Sequence, residues 1–193
     1  MSPQEQKSEL RNQKLKLRDA IDPAERIEKS LAAANFGAQN IDFEPGTIVS
    51  GFFPIRSEID PRPLMDDFRS RGARLCLPVV LDKTTIVFRE LVRGVELVDT
   101  GFGTRGPGED AEILDPSLLI MPLSVFDHRG GRIGYGAGHY DRAIAKIMQK
   151  GIEPTLIGMA FDCQHEESVP VEPHDQPLNA MLTESGFTLA KER

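Results

Sequence analysis

The 193-residue chain carries 23 Lys and Arg against 30 Asp and Glu, a formal net charge of −7. That length fits one domain with a core large enough to need no disulfide or metal staple, and 39% hydrophobic with 27% charged residues is the balance of a folded globular chain. The acidic balance argues against a protein that coats nucleic acid or an anionic membrane, yet it leaves room for an anionic small molecule held by a local basic site.

The first 36 residues read as two helices. Leu10, Lys14, Leu17 and Ile21 recur at helical spacing in the first. Asp22-Pro23-Ala24-Glu25 is a helix start, with Asp as N-cap and Pro at the first helical position, and Ile27, Leu31 and Ala34 then share one face. The N-terminal stretch is polar and lacks the apolar segment of an export signal. Alternation follows: a β-rich run at 47–53, a helix opened by Asp60-Pro61 and closed by Gly72, and strands at 74–80 and 85–91. Residues 92–116, rich in Gly, read mostly as loop. A short apolar strand spans 117–121, a second Gly-rich loop 124–138, a helix 139–150 and a strand 155–161. Residues 162–178, acidic and Pro-containing, read as an exposed loop, and short strands at 181–183 and 187–189 finish the sheet. This order predicts a three-layer α/β/α domain with a mostly parallel sheet and an N-terminal helical segment packed on it. The apolar runs at 75–81 and 118–123 are far too short to cross a membrane. Cys76 and Cys163 form no CxxC pair and read as free thiols, Cys76 in the core. The expected location is the cytoplasm and the expected state a monomer.

The informative stretch is SLLIMPLSVFDHRGGRIGYGAGHYDR, residues 117–142. A buried strand, a glycine loop and a helix start are the parts from which phosphate sites are made, because glycines let amides approach an anion and the helix N-terminus offers unpaired donors. Arg129, Arg132 and Arg142 add cations, and both tyrosines, Tyr135 and Tyr140, lie here. Neither GxxxxGK[ST] nor GxGxxG is matched. On pattern alone, phosphate binding is favoured about two to one over a loop that needs glycines only to turn. Four histidines fall within 128–174, but their spacing matches no zinc motif.

The string IGYGAGHYDR, after a Pro-containing strand and Phe126-Asp127, resembles the RLGYGxGYYDR signature of the 5-formyltetrahydrofolate cyclo-ligase family, also called methenyltetrahydrofolate synthetase. Other segments fall in that family's order: Lys7 and Arg11 in KSELR, Glu58 in SEID, Leu77-Pro78, then Gly158 to Phe161, Gln164, Pro173, His174-Asp175, Leu178 and Thr183-Glu184. The chain departs from the pattern where His139 replaces a Tyr, at residues 122–127, in the GFGTRGPG segment 101–108, and at Val79.

The resemblance implies an ATP- and Mg2+-dependent ligase that converts 5-formyltetrahydrofolate to 5,10-methenyltetrahydrofolate, with ATP and the folate as its small-molecule partners. It implies that Lys7, Arg11, Arg132, Ile133, Gly134, Tyr135, Gly136, Ala137, Gly138, His139 and Tyr140 hold ATP. Phe53, Glu58 and the segment from Tyr135 to His139 would border the folate, Asp141 and Asp175 would hold magnesium, and Arg132 and Tyr140 would act in catalysis. On spacing alone, Lys7 and Arg11 belong to a solvated helix face that also carries Lys14, Lys16 and Arg18. Asp141 is likewise an ordinary acid of a helix first turn, and Asp175 one more acid in an acidic loop. A non-catalytic nucleotide- or folate-binding module on the same scaffold is the alternative. A phosphosugar isomerase is a third, and would leave the Lys7/Arg11 pair idle.

Overall fold

In the computed structural model, which describes residues 2–101 and 103–191, four helices flank one large sheet. In chain order the elements are α1 (Pro3–Asp19), α2 (Pro23–Asn40), β1 (Ile48–Ser50), α3 (Arg62–Ser70), β2 (Arg74–Val80), β3 (Ile86–Glu90), β4 (Leu97–Gly101), β5 (Thr104–Pro107), β6 (Ile113–Leu114), β7 (Leu118–Met121), β8 (Val125–Phe126), β9 (Arg132–Ile133), α4 (His139–Gln149), β10 (Thr155–Met159), β11 (Ala180–Thr183) and β12 (Gly186–Leu189). The main sheet runs β12-β11-β10-β7-β1-β2-β3-β6. From β11 to β2 the pairings are parallel, and at both margins they are antiparallel.

Strand β7 shows why the chain folds into three layers. Leu118 and Ile120 point into the core shared with α2 and α3, while Leu119 and Met121 point into the core shared with α4. All four are buried, as expected of a parallel strand covered on both faces. Cys76 sits fully buried in the α4-side core.

Several expectations change in detail. Ile27 and Leu31 of α2 are 63% and 53% exposed, and the helix instead buries Ser30, Ala33, Ala34 and Gly37. Helix spacing alone could not choose, because close packing selects the small face: a Cβ at Gly37 would stand 2.8 Å from a Leu64 methyl. Residues 92–116 are mostly outside strands, as expected, but the segment also holds three short strands. These are the β4–β5 hairpin, with Gly101 and Gly103 at its turn, and β6. Phe102 lies outside the described residues. The run at 47–53 is strand only over Ile48–Ser50, and Phe53 leaves the sheet.

The two loop segments around the site are also ordered by internal bonds. Within 124–138, β8 and β9 pair as a hairpin. Asp127, 3% exposed, accepts hydrogen bonds from the amides of Arg129 and Gly131 at 2.8 Å and of Val169 at 2.9 Å. The segment 162–178 is not simply an exposed loop, since Gln164, Val169 and Leu178 are buried. Gln164 donates to the carbonyls of Leu123 and Ser124, which ties the acidic segment to the glycine-rich one. Asp127→Ala would remove the acceptor of two buried N–H groups, those of Gly131 and Val169. It is expected to lower the unfolding free energy by about 3 kcal/mol, measured by denaturant titration, with a smaller loss for Asp127→Asn, which keeps an acceptor oxygen.

Candidate active site

The loops that leave the carboxyl ends of β1, β2, β7 and β10 border one cavity of about 880 Å³, the position at which open α/β sheets hold ligands. The residues to which the family resemblance gives a binding or catalytic role all line it, from Lys7 and Arg11 through Phe53, Glu58 and the run Arg132 to Asp141, to Asp175.

Helix α1 lies against this cavity by a stripe of cations spaced four, three and four residues apart, which places them on one face. Lys7 donates to Asp175 Oδ2 at 2.6 Å and to Glu172 Oε2 at 2.8 Å. Arg11 donates to the Gly134 carbonyl at 2.8 Å. Lys14 reaches the His165 carbonyl and Glu166. Arg18, 2% exposed, bonds Ser57 and Tyr135. Leu10, between them, packs on Val125, Ile133 and Val169. The charged face is therefore the docked face, not the solvated one that spacing alone suggested, and Leu17 is exposed instead. The 7-11-14-18 spacing was the available signal for Lys14 and Arg18.

The centre of the cavity is the segment from β9 into α4. Arg132 extends from β9 and donates to Asp141 Oδ1 at 2.5 Å, and the Gln176 amide donates to the same oxygen at 2.9 Å. That second bond holds the 172–176 segment against the start of α4. Gly138 caps α4 in a left-handed conformation (φ 66°) that L side chains rarely adopt, and no side chain caps the helix. The first amides of α4 thus meet no side-chain cap and present donors and the positive end of the helix dipole. Arg132 Nε and the Tyr140 hydroxyl are buried without a partner, and burial pushes the Tyr140 phenol up. Two orphaned donors lining a cavity are what a polar ligand would satisfy. His139 contacts the Asp82 carbonyl at 3.1 Å, so the imidazole packs toward the β2–β3 turn.

At the β1 end, Glu58 accepts a bond from the Tyr135 hydroxyl at 2.5 Å and from the Ile55 amide at 2.9 Å. Burial raises the Glu58 carboxyl above the ordinary range, against the pull of these bonds and of Arg18 and Arg56. Tyr135 is fixed at its hydroxyl while 43% of its surface stays open. With Phe53 it offers aromatic surface beside a carboxylate acceptor.

At the opposite end, donor atoms of Glu172, His174 and Asp175 lie within 4.8 Å of one another. The family resemblance pairs Asp175 with Asp141 and assigns nothing to Glu172, whereas this group holds Glu172 and not Asp141, which is engaged by Arg132 and the Gln176 amide. Burial alone would pull the Lys7 ammonium down, but its bonds to Asp175 and Glu172 outweigh this and raise it. An ammonium already sits between these two carboxylates, so the donor set suits a cation. Carboxylate oxygens are hard donors of the kind Mg2+ takes alongside phosphate and water. Among the described residues, no three of the four histidines form such a group. His128 and His165 stack on each other with centroids 4.3 Å apart.

The model of the 5-formyltetrahydrofolate cyclo-ligase family matches residues 3–184. The chain is 34% identical over 143 residues to a 5-formyltetrahydrofolate cyclo-ligase of Escherichia coli, covering 71% of this chain and 78% of that protein. It is 29% identical over 191 residues to that of Mycolicibacterium smegmatis, covering 95% of each. A 5,10-methenyltetrahydrofolate synthetase from Aquifex aeolicus superimposes with a TM-score of 0.79 at 25% identity, over 97% of this chain and 94% of that one. One from Mycoplasma pneumoniae shares the fold, with a TM-score of 0.74 at 20% identity over 92% and 98%. Sequence, fold and the convergence of the motif residues agree: the chain belongs to the 5-formyltetrahydrofolate cyclo-ligase family.

Proposed function

We propose that the protein converts 5-formyltetrahydrofolate and ATP to 5,10-methenyltetrahydrofolate, ADP and phosphate, and that this cavity is where it does so. The observation that supports this most is that Lys7, Arg11, Glu58, Arg132, Tyr140, Asp141 and Asp175, drawn from distant parts of the chain, line one space. Lys7, Arg11, Arg132 and the first amides of α4 form a run of donors suited to a triphosphate. Phe53, Tyr135 and Glu58 suit a flat heterocycle with ring N–H groups, the aromatics as walls and the carboxylate as acceptor.

A formamide oxygen is a poor leaving group. The γ-phosphoryl passes from ATP to the formyl oxygen, breaking the P–O bond to ADP, which leaves, and forming a new one. The N10 lone pair then forms the C–N bond, the C–O bond breaks with its electrons going to phosphate, and N10 releases its proton. The chain's part is to hold the two substrates in line and stabilise charge. Arg132 faces the phosphoryl group with its unpaired Nε, and Tyr140 offers its orphaned hydroxyl to the same region. Asp141 and Asp175, with Glu172 beside them, would hold a magnesium ion, which would neutralise phosphate charge when bound. Lys7 would then exchange part of its carboxylate contact for phosphate.

The direct test mixes the protein with 5-formyltetrahydrofolate, ATP and Mg2+ and follows methenyltetrahydrofolate absorbance; product formed equally without ATP, or none at all, overturns the reading. Asp141→Asn keeps an acceptor for Arg132 but removes the charge. It is expected to raise the KM for Mg-ATP by about tenfold to a hundredfold, the size of a lost charge-assisted contact, and an unchanged magnesium titration would exclude Asp141 as a ligand. Tyr140→Phe removes a buried unpaired hydroxyl. The unliganded protein should be as stable or up to about 1 kcal/mol more stable by denaturant midpoint, while kcat falls.

A further inference from the structure

Arg18 belongs to no part of the motif quoted above, yet it is the buried cation at the end of α1 that bonds Tyr135 in the cavity wall. It is 2% exposed. Its Nε donates to Ser57 Oγ at 2.9 Å and its Nη1 to the Tyr135 hydroxyl at 2.7 Å. Tyr135 passes the bond on to Glu58 Oε1 at 2.5 Å, and Ser57 donates to Asp19 on α1. The guanidinium also lies over the Tyr135 ring, 6.0 Å from its centroid. The turn that carries Ser57 and Glu58 is strained, since Arg56 has a left-handed backbone (φ 53°) that a long side chain rarely adopts. That turn is closed by Glu58 itself, whose amide donates to the Ile55 carbonyl and whose carboxylate accepts the Ile55 amide.

A buried guanidinium costs several kcal/mol unless its partners repay it, and a core position needs no arginine for packing. The partners here are two hydroxyls from different loops, both adjacent to the same carboxylate. We propose that Arg18 is a positioning residue which, through the Tyr135 hydroxyl and Ser57, sets the orientation of the Glu58 carboxylate and so ties the helix bearing Lys7 and Arg11 to the folate end of the cavity. This rests on the reading of Glu58 as the acceptor for the folate ring.

The arrangement has a pH signature. The groups facing Glu58 are Tyr135 from the 134–138 loop, Arg18 from α1, Arg56 and the Ile55 amide from its own turn, and Tyr140 from α4. Burial raises the Glu58 carboxyl, and Arg18 is one of the charges that restrain the rise. Removing that charge moves the carboxyl up further. In Arg18→Met the protonated, non-accepting form therefore reaches higher pH, and folate affinity is lost first at the acid end. A nearby opposite charge is worth about one pKa unit or more. The ratio of the variant's folate KM to that of the wild type should thus grow as pH falls from 8 to 6.

The experiment measures KM for 5-formyltetrahydrofolate, KM for ATP and kcat from pH 6 to 8 for the wild type, Arg18→Met, Arg18→Lys and Tyr135→Phe, with thermal midpoints for each. The expected result is a folate KM that rises toward acid in Arg18→Met and is partly restored in Arg18→Lys, with the ATP KM changed less than about twofold because Lys7, Arg11 and Lys14 still anchor α1. In the Tyr135→Phe background Arg18→Met should still move the pH profile through its charge but add less to the folate KM at pH 8, since the path through the hydroxyl is already cut. A parallel rise of both KM values with no pH dependence would mean that Arg18 only holds α1 in place, and would overturn the proposal. If Arg18→Met does not fold, Tyr135→Phe and Arg18→Lys decide: wild-type folate pH profiles in both would sink it. Should the wild type itself show no ATP-dependent product, it is the cyclo-ligase reading that fails instead.

Discussion

The rest of the site depends on the docking of α1 through charge. A helix normally buries its apolar stripe, but this one turns Lys7, Arg11, Lys14 and Arg18 inward and leaves Leu17 in water. Each cation must find a partner on arrival, because an unpaired charge removed from water is far more costly than an exposed leucine. The partners come from the 134–138 segment, the acidic segment 162–178 and the turn after β1. Those are the segments that form the cavity. Docking the helix and assembling the site are therefore one event.

The segments that meet α1 are themselves ordered by buried polar groups more than by apolar packing. Asp127 gathers three amides and Gln164 bridges two segments. Such groups hold backbone in place by direction as well as energy, which a site built from loops needs. The sheet supplies the rigid frame beneath, with its parallel strands aiming their carboxyl ends at one place. The polar groups then decide where each loop stops. Where those bonds remain unfilled, at Arg132 Nε and the Tyr140 hydroxyl, the interior faces the cavity and not another part of the protein.

The layered α/β frame was readable because its signals are local. The buried run at β7, Asp22 as the cap of α2 and Gly72 after α3 act within a few residues of where they stand. The glycine loop and its following helix were readable for the same reason, and the resemblance of IGYGAGHYDR carried the motif residues into one set. Less legible were features that depend on a distant neighbour. Ile27 and Leu31 look like a buried face until Leu64 is placed against Gly37. Residues 97–107 look like loop until their glycines are seen to join two paired strands. Glu172 carried no signal, because an acid in an acidic segment acquires meaning only when Lys7 stands beside it.

A single domain with an acidic surplus was determined by the sequence alone, as were the order of helices and strands and the concentration of glycine, arginine and tyrosine between residues 129 and 142. The net charge of −7 was a poor guide to the charge of the ligand for a simple reason: net charge sums over the surface, whereas binding responds to the few charges within a screening length. Tertiary structure alone decided that four cations of α1 would leave solvent, that the acids meeting them would be Asp175, Glu172 and Glu166, and that Arg18 would reach Glu58 through Tyr135. Spacing along a helix says which residues share a face. Only the surface opposite says whether that face meets water or carboxylates.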